Sequence, residues 1–322
     1  MNNTILQIKH LKTYFFTRYG AVKAVDGISF GLRKGESLCL VGESGCGKTA
    51  TALSILRLID SPPGRIVDGE ILYHSEDLLR CSDARLRQIR GNRIAMIFQD
   101  PQSALNPVFP VGDQIAEPIK LHLKLKKRPA MEKALRLMEQ AGIPRAKERM
   151  KDYPHQFSGG MKQRAMIATA LSCDPEILIA DEPTTALDTT IKAQILDIFQ
   201  DLKQKRNMST LFITHDLGTV AGIADRIIVM YGGRIAEAGT ALDIFDQPKH
   251  PYTLGLLKCL PDISTRRERL TPIPGMIPSL INPPESCIFN PRCERRMPVC
   301  TQKIPEEIVI SGEHIVACHL YS

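Results

Sequence analysis

The sequence lacks any apolar run of about 18 residues, although 43% of its 322 residues are hydrophobic. A membrane-spanning helix needs about 20 such residues, so no segment is expected to cross a bilayer. The first residues also lack a basic stretch followed by an apolar one, which is the pattern of a signal peptide. We therefore expect the chain to stay in the cytosol, with its nine cysteines reduced or bound to metal.

Length and charge set only broad limits. A chain of 322 residues suits one to three globular units with a substantial core. The net charge of +7 fits a nucleic acid or an anionic membrane surface as partner. It fits equally well a solvated surface with excess lysine. Charge alone therefore does not choose a partner.

One stretch, residues 42–49, carries a complete phosphate-binding motif, G-x-x-x-x-G-K-[ST]. The apolar run 37–41 precedes it as a buried strand, and residues 51–58 follow with helical spacing. Glycines let backbone N–H groups turn towards phosphate oxygens, and the helix N-terminus adds the positive end of its dipole. Lys48 is predicted to reach the β- and γ-phosphates and the Thr49 hydroxyl to bind Mg²⁺. The chain is predicted to bind a nucleoside triphosphate.

Polar side chains follow three other apolar runs. These runs are 93–98 before Gln99, 177–180 before Asp181 and Glu182, and 211–214 before His215. Buried parallel strands read as continuous apolar runs, and ligand chemistry lies at their carboxyl ends. We expect Asp181 to hold Mg²⁺ through water and Glu182 to polarise an attacking water. Gln99 is placed to reach the metal and that water, and His215 occupies the same strand-end position.

Two further features concern the nucleotide. A serine–glycine turn at residues 158–160 opens a helix, which makes a second anion site or only a helix cap. An aromatic cluster lies near the start of the chain, and Phe15 is our candidate for a ring that stacks on a purine base. Between these features, prolines and a helical pattern over residues 131–141, ending at Gly142, predict a small helical insert.

Taken in chain order, these motifs resemble those of the ABC-type ATPase subunit over residues 5–240. The resemblance implies an α/β fold: a P-loop ABC-type ATPase domain with an N-terminal antiparallel β subdomain, a helical insert and a C-terminal cysteine-containing extension. The implied domains are a RecA-like nucleotide-binding core with the β subdomain (1–99 and 166–240), a helical signature subdomain (100–165) and the extension (241–322).

The resemblance also implies residue roles. Ser158-Gly159-Gly160 with Gln163 corresponds to the signature motif, with Phe157 where leucine is common. A head-to-tail dimer would hold ATP between the phosphate loop of one subunit and the signature of the other. The implied nucleotide-binding residues are Phe15, Gly42, Glu43, Ser44, Gly45, Cys46, Gly47, Lys48, Thr49, Ala50, Ser158, Gly159, Gly160, Gln163 and Asp188. The implied catalytic residues are Glu182, His215, Lys48 and Gln99, and the Mg²⁺ ligands are Thr49, Gln99 and Asp181.

The C-terminal extension resembles that of the dipeptide/oligopeptide importer ATPases, a family that also includes nickel and glutathione importers. Its four cysteines, spaced C-x5-C-x6-C-x17-C, are Cys287, Cys293, Cys300 and Cys318. Soft thiolates suit Zn²⁺ or an iron–sulfur cluster, and the missing C-x2-C makes a zinc ribbon less natural. Similarity to family members that carry a [4Fe–4S] cluster favours the cluster, while zinc and plain thiols stay open. Cys46 is expected to be a stabilised, alkylatable thiolate beside a helix N-terminus.

The leading hypothesis is the ATP-hydrolysing motor of a di- or oligopeptide importer on the cytoplasmic face of the membrane. The resemblance implies three kinds of partner: a related, non-identical ATPase subunit, two transmembrane permease subunits contacted by the region around residues 106–111, and indirectly an extracytoplasmic binding protein. The alternatives are a nickel or glutathione importer and a soluble ABC-type ATPase acting on nucleic acid. The latter class usually has tandem nucleotide domains or a long heptad insert, and neither is present, so no nucleic-acid partner is expected. A redox-sensing role of the cysteines is compatible with the first hypothesis.

Overall fold

A computed structural model describes residues 3–185, 188–260 and 273–322 of the chain. It divides the chain into two compact units. The first unit comprises residues 1–33, 37–79 and 213–322, and the second comprises residues 34–36 and 80–212. The predicted three-part domain division stays a prediction. None of the helices within the described ranges is long and apolar enough to span a membrane.

Strands and helices alternate through much of the chain. The strands are β1 (Thr4–Thr17), β2 (Gly20–Arg33), β3 (Ser37–Val41), β4 (Gly64–Tyr73), β5 (Glu76–Asp77), β6 (Ile94–Ile97), β7 (Ile177–Asp181), β8 (Ser209–Thr214), β9 (Arg226–Tyr231), β10 (Arg234–Thr240), β11 (Glu307–Ser311) and β12 (His314–Ala317). The helices are α1 (Lys48–Ile55), α2 (Asp83–Ile89), α3 (Pro101–Ala104), α4 (Val111–His122), α5 (Lys127–Gln140), α6 (Ala146–Arg149), α7 (Gly159–Ala170), α8 (Thr189–Arg206), α9 (Leu217–Val220), α10 (Ala241–Asp246) and α11 (Pro251–Lys258).

The first unit begins with an antiparallel sheet of strand order β2-β1-β4-β5. Strands β1 and β2 form a long hairpin whose register shifts at several bulges. Side chains on one face of these strands, such as Leu6, Leu11 and Ile71, are fully buried. This alternation of buried and exposed positions is what a half-buried antiparallel sheet requires. The expected N-terminal antiparallel β subdomain is therefore present.

The first unit also contains five strands in the order β11-β12-β10-β9-β3. Strands β3 and β9 run parallel, and every residue of β3 is buried, as expected for its continuous apolar sequence. Strand β10 pairs antiparallel with β9 and, on its other edge, with β12 from the C-terminal extension. The extension therefore adds β12 and β11 to the edge of the strand group that contains β3, the strand leading into the phosphate loop.

The second unit combines parallel strands β6 and β7 with a group of helices in which α4, α5 and α7 pack together. Helix α5 is followed by Gly142, whose φ of +73° is the left-handed conformation expected after a helix C-terminus. This confirms the predicted end of that helix. Its start at Lys127 lies four residues before the predicted one, because the charged first turn interrupts the apolar spacing.

Candidate active site

The phosphate loop connects β3 to α1 within the first unit. A Cβ atom added at Gly42 would collide with the carbonyl oxygen of Met230, and one at Gly47 with that of Ala24. Gly47 also has a φ of +105°, a conformation that side chains disfavour. The loop is tied to its neighbour by the Gly233 N–H, which donates to the Cys46 carbonyl at 3.0 Å. Glycine is required at positions 42 and 47 because the backbone packs directly on other backbone.

Lys48 is the first residue of α1, at the end of this loop, and its side chain is buried. Its Nζ donates to the carbonyl oxygens of Gly42 at 2.7 Å and Glu43 at 3.0 Å. The ammonium group is therefore held on the concave side of the loop's own backbone. A phosphate group, as a stronger acceptor, could replace one of these carbonyls. The predicted contact of Lys48 with phosphate is compatible with this placement.

Cys46 differs from its predicted behaviour. Its side chain is completely buried, and the Sγ atom lies 3.7 Å from Lys48 Nζ. Burial raises the pKa of the Cys46 thiol, and this effect exceeds the opposing influence of the nearby Lys48 charge. The expected stabilised thiolate is therefore corrected: Cys46 is a protonated, buried thiol. Its contribution to the site is its backbone in the loop.

The remaining loop residues face outward to different degrees. Ser44, Gly45 and Thr49 are exposed, whereas Glu43 and Ala50 are half-buried. An exposed Thr49 hydroxyl at the first turn of α1 is accessible to a metal ion bound by phosphate. Its predicted role as a Mg²⁺ ligand stays a prediction.

Two aromatic rings of the β1–β2 hairpin are relevant to base stacking. Phe15 is half-buried between β2 and β4, with its ring close to the Cα of Gly64. Tyr19, at the hairpin turn, is 69% exposed, and the Arg18 guanidinium lies 4.6 Å from its ring centre. Tyr19 belongs to the same aromatic cluster as the predicted Phe15, and its place in the turn Arg18-Tyr19-Gly20 between two β-rich runs could have indicated an exposed ring.

In the second unit, the parallel pairing of β6 with β7 brings two predicted residues together. Ile97 pairs with Ala180, so Gln99 and Glu182 follow the same edge of the two strands. The Gln99 Nε2 donates to Glu182 Oε2 at 3.2 Å, and the Thr185 hydroxyl donates to the same oxygen at 2.8 Å. Asp181, one residue earlier, is buried at the end of β7. Gln99 and Glu182 therefore contact each other beyond the ends of β6 and β7, next to Asp181 in the chain, and the roles predicted for these residues stay predictions.

Glu182 also has an unusual backbone. Its φ of +46° is left-handed, which a non-glycine residue adopts at a cost of about 1–3 kcal/mol. The side chain is only 8% exposed. A buried carboxylate held in a strained turn is oriented by the backbone as well as by its hydrogen bonds, which is the arrangement that positions a general base.

The signature residues lie at the start of α7, also in the second unit. The Ser158 hydroxyl caps the helix by accepting from the Met161 N–H at 3.4 Å, and both Ser158 and Gly159 are exposed. Gln163 is buried and donates to the Pro183 carbonyl at 2.7 Å, which ties α7 to the turn that carries Glu182. A Cβ atom at Gly160 would lie 3.4 Å from the Ile191 side chain.

Asp188 and His215 are the two remaining predicted residues. Asp188 is exposed and caps α8 by accepting from the Ile191 N–H at 3.0 Å. His215 is exposed immediately after β8, in the first unit. The structure therefore assembles two groups of predicted residues, one in each unit: the phosphate loop with Lys48, and Gln99 with Asp181, Glu182 and the signature helix.

The four cysteines of the extension lie in the first unit and form no disulfide. Burial raises the pKa of Cys287 to about 11, with smaller contributions from Cys300, Cys318 and Cys293. Burial likewise raises the pKa of Cys293 and Cys318, again with contributions from other members of the set. Each of these three thiols is thus influenced by at least one other cysteine of the set, which disfavours its ionisation.

The same cysteines do not make a site for a single metal ion. Among the described residues, no group of three or more His, Cys, Asp or Glu side chains could hold a metal ion. Since Zn–S bonds are about 2.3 Å, a zinc ion needs its ligand sulfurs within about 4 Å of one another. The described residues therefore lend no support to the expected [4Fe–4S] cluster.

Two family models match the sequence. The one described as ABC transporter matches residues 25–185, and the one described as oligopeptide/dipeptide transporter, C-terminal region, matches residues 236–300. The chain is 51% identical over 316 residues to the dipeptide transport ATP-binding protein DppD of Bacillus subtilis (strain 168), covering 98% of this chain and 94% of the relative. It is 48% identical to the oligopeptide transport ATP-binding protein AppD of the same organism, covering 99% and 97%.

Solved structures resemble the fold. A dimeric structure of a post-hydrolysis state of the ATP-binding cassette MJ0796, bound to ADP and Pi, has a TM-score of 0.67 at 23% identity. The match covers 73% of this chain and 98% of that one. At this identity the likeness bears on the fold alone, and it confirms the predicted α/β cassette.

Proposed function

The chain belongs to the ABC transporter ATPase family, and we propose that it powers the import of di- and oligopeptides through a membrane transporter. The observation that carries its ATPase activity is the phosphate loop, whose glycines are required by packing and whose Lys48 lies against the loop backbone. The choice of peptides rests on the match over residues 236–300 and on the transport roles named for the two Bacillus relatives.

The proposed mechanism of ATP hydrolysis depends on stabilising negative charge at the phosphates. Transfer of the γ-phosphoryl group to water develops negative charge on its oxygens, which Lys48 and His215 would stabilise. Mg²⁺, held by Thr49, Gln99 and Asp181, would neutralise charge on the phosphates. Glu182 would orient or deprotonate the attacking water, as its burial and its bond from Gln99 support.

A head-to-tail dimer would complete the site. The exposed Ser158 and Gly159 at the start of α7 are accessible to the nucleotide of a second subunit, and the exposed Asp188 could cross the same interface. We propose that the second subunit is a related, non-identical ATPase. Hydrolysis would then require the two subunits to close on ATP, which couples the chemistry to a movement.

The purine base is proposed to stack on a ring of the β1–β2 hairpin. Phe15 is the predicted ring, and the greater exposure of Tyr19 makes it the alternative. Stacking is worth about 1–3 kcal/mol per base, so loss of the stacking ring should weaken ATP binding about 5- to 150-fold. Tyr19→Ala and Phe15→Ala separate the two candidates. If only Phe15→Ala weakens ATP binding, Phe15 is the stacking ring, as predicted; if only Tyr19→Ala does, the ring is Tyr19.

The membrane partners are proposed to be two permease subunits, with an extracytoplasmic substrate-binding protein acting through them. Val108 and Phe109 are 68% and 55% exposed, and they offer an apolar contact for a permease. This arrangement would locate the chain on the cytoplasmic face of the membrane. The division into nucleotide-binding core, helical signature subdomain and extension is proposed with it.

The extension is proposed to hold a [4Fe–4S] cluster through Cys287, Cys293, Cys300 and Cys318. The Cys287 N–H donates to the Cys300 carbonyl at 3.0 Å, which supports the proximity of these two residues. Anaerobic purification should give about four iron and four sulfide per chain, lost when all four cysteines are serine. The matched control is Cys81→Ser, which leaves the extension intact. Stoichiometric zinc, or no metal at all, would contradict the cluster.

Peptide import is tested by uptake of labelled di- to pentapeptides in cells that lack this chain. Expression of the wild type should restore uptake, and Lys48→Ala should not. Restored uptake of nickel or glutathione, without peptides, would replace the proposed substrate with one of these alternatives. Specific binding of DNA or RNA that stimulates ATP hydrolysis, without any uptake, would contradict the transport role.

A further inference from the structure

Arg292 lies between two cysteines of the extension and is 249 residues from its partner in the phosphate loop. Its Nη1 and Nη2 atoms donate to Glu43 Oε2 and Oε1 at 2.7 and 3.0 Å, which makes a two-pronged ion pair. The other N–H groups donate to the Tyr231 hydroxyl and to the carbonyls of Ile273 and Pro274. All five guanidinium donors therefore have partners, and the side chain is only 4% exposed.

Glu43 is held at its backbone as well as at its side chain. Its N–H donates to the Tyr252 hydroxyl at 2.8 Å, and Tyr252 lies in helix α11 of the extension. Its carbonyl accepts from Lys48 Nζ at 3.0 Å. A continuous chain of hydrogen bonds therefore runs from Arg292 through Glu43 to Lys48. The second residue of the phosphate loop is fixed by two contacts from a part of the chain outside that loop.

Aromatic packing reinforces this connection. Phe289, three residues before Arg292, lies 5.1 Å from Tyr231 and 5.5 Å from Tyr252, measured between ring centres. Tyr231 and Tyr252 are themselves 4.6 Å apart. These rings are buried, so a displacement of the cysteine segment 287–293 would disturb the residues that hold Glu43.

We propose that Arg292 is a positioning residue for the phosphate loop, so that ATP binding and the folded state of the cysteine segment 287–293 stabilise each other. The geometry supplies the route, because Arg292, which belongs to the cysteine segment, bonds through one buried guanidinium to the loop's carboxylate and to the carbonyls of Ile273 and Pro274. Coupling between two sites is reciprocal: whatever orders the segment tightens ATP binding, and ATP orders the segment by the same factor. This inference rests on the proposed ATP site.

The first test is a double-mutant cycle on the full chain as purified, with binding of a fluorescent ATP analogue as the readout. Arg292→Gln and Glu43→Gln should each weaken binding about tenfold, since each removes the charge-assisted hydrogen bonds that hold the second residue of the loop. The double variant should lose about tenfold rather than about a hundredfold, because the two residues act as one unit. Arg292→Lys should restore binding only in part, since lysine cannot make the two-pronged contact. Arg296→Gln, an exposed neighbour, is the control.

Steady-state kinetics separate positioning from catalysis. The two variants should raise the KM for ATP and leave kcat within about twofold, because the ion pair acts on binding rather than on the attacking water. Full additivity in the cycle, or unchanged binding in Glu43→Gln and Arg292→Gln, would overturn the proposal. Absence of ATP binding by the wild type would instead overturn the proposed function.

A second readout avoids dependence on activity. Backbone hydrogen exchange over residues 287–293 should slow at least about threefold when ATP is added to the wild type, and should not respond in Glu43→Gln at ATP concentrations that saturate the variant. Glu43→Gln leaves the Arg292 guanidinium, 4% exposed, without its carboxylate, but the glutamine side chain keeps one oxygen that can accept an N–H from it. An equal response to ATP in both proteins would contradict the coupling.

Discussion

Replacement of Glu182 by glutamine tests the proposed attack of water on ATP. The side chain is 8% exposed and accepts hydrogen bonds from Gln99 and the Thr185 hydroxyl. Glutamine keeps the volume and one carbonyl oxygen, so the fold and the Thr185 bond can survive. It removes the charge and the basicity on which proton transfer depends. General base catalysis contributes about 10²–10⁴-fold, and kcat for ATP hydrolysis should fall by that factor.

The assay is phosphate release under single-turnover conditions, beside equilibrium binding of ATP. Glu182→Gln should bind ATP within about threefold of the wild type, because the lost interaction belongs to the reaction step rather than to the bound state. The matched control is Glu176→Gln. Glu176 lies immediately before the N-terminal end of β7, whereas Glu182 follows its C-terminal end. Because Glu176 forms only an exposed ion pair with Arg93, its replacement should leave kcat within about twofold. A kcat of Glu182→Gln within about threefold of the wild type would refute the role of Glu182.

Three further predictions concern buried side chains. Cys46 should react with iodoacetamide at least about tenfold more slowly than the half-buried Cys81, because burial raises its pKa and blocks access; equal rates would contradict this. His314→Leu should lower the free energy of unfolding in urea by about 3 kcal/mol, since it leaves the fully buried Glu237 carboxylate without the imidazole 2.7 Å away; a loss below about 1 kcal/mol would contradict this. Burial lowers the pKa of His250 to about 4, so the unfolded state binds more protons from pH 6.5 to 4 and stability falls as pH drops. Across that interval His250→Asn, which keeps a capping acceptor, should lose about 3 kcal/mol less than the wild type, and equal losses would contradict the shift.

The parallel strands were the most predictable part of the fold. Residues 37–41 and 177–181 are strands with the expected bounds, because strands buried on both faces need an unbroken apolar sequence. The polar residues that follow such runs were predictable for the same reason. Their meeting depends on the pairing of β6 with β7, which no local sequence pattern specifies.

The antiparallel strands were predicted less well. Residues 5–9, 21–25 and 28–32 read as short separate runs, whereas β1 and β2 each extend over 14 residues. Bulges between Ile8 and Leu11 shift the register and interrupt the alternation on which the prediction depends. The pair β11–β12 escaped prediction because its outward face is exposed and its apolar runs are short.

The contacts that could not be predicted join residues that are far apart in the sequence. Nothing local in Gly42-Glu43-Ser44 indicates that its carboxylate pairs with Arg292, since the two meet only through the packing of the extension. Cys46 illustrates the same point. A helix N-terminus favours a thiolate, but complete burial outweighs that effect, and burial depends on tertiary packing.

The measurement that tests the central claim most directly is ATP binding and hydrolysis by the purified chain, compared with Lys48→Ala. Lys48 donates to the carbonyls of Gly42 and Glu43 in the phosphate loop, where the nucleotide phosphates are proposed to bind. The wild type should bind and hydrolyse Mg-ATP, and Lys48→Ala should bind it at least about tenfold more weakly, because a charge-assisted bond to phosphate is lost. Equal binding and hydrolysis by the two proteins would contradict the assignment of residues 42–49 as the ATP site.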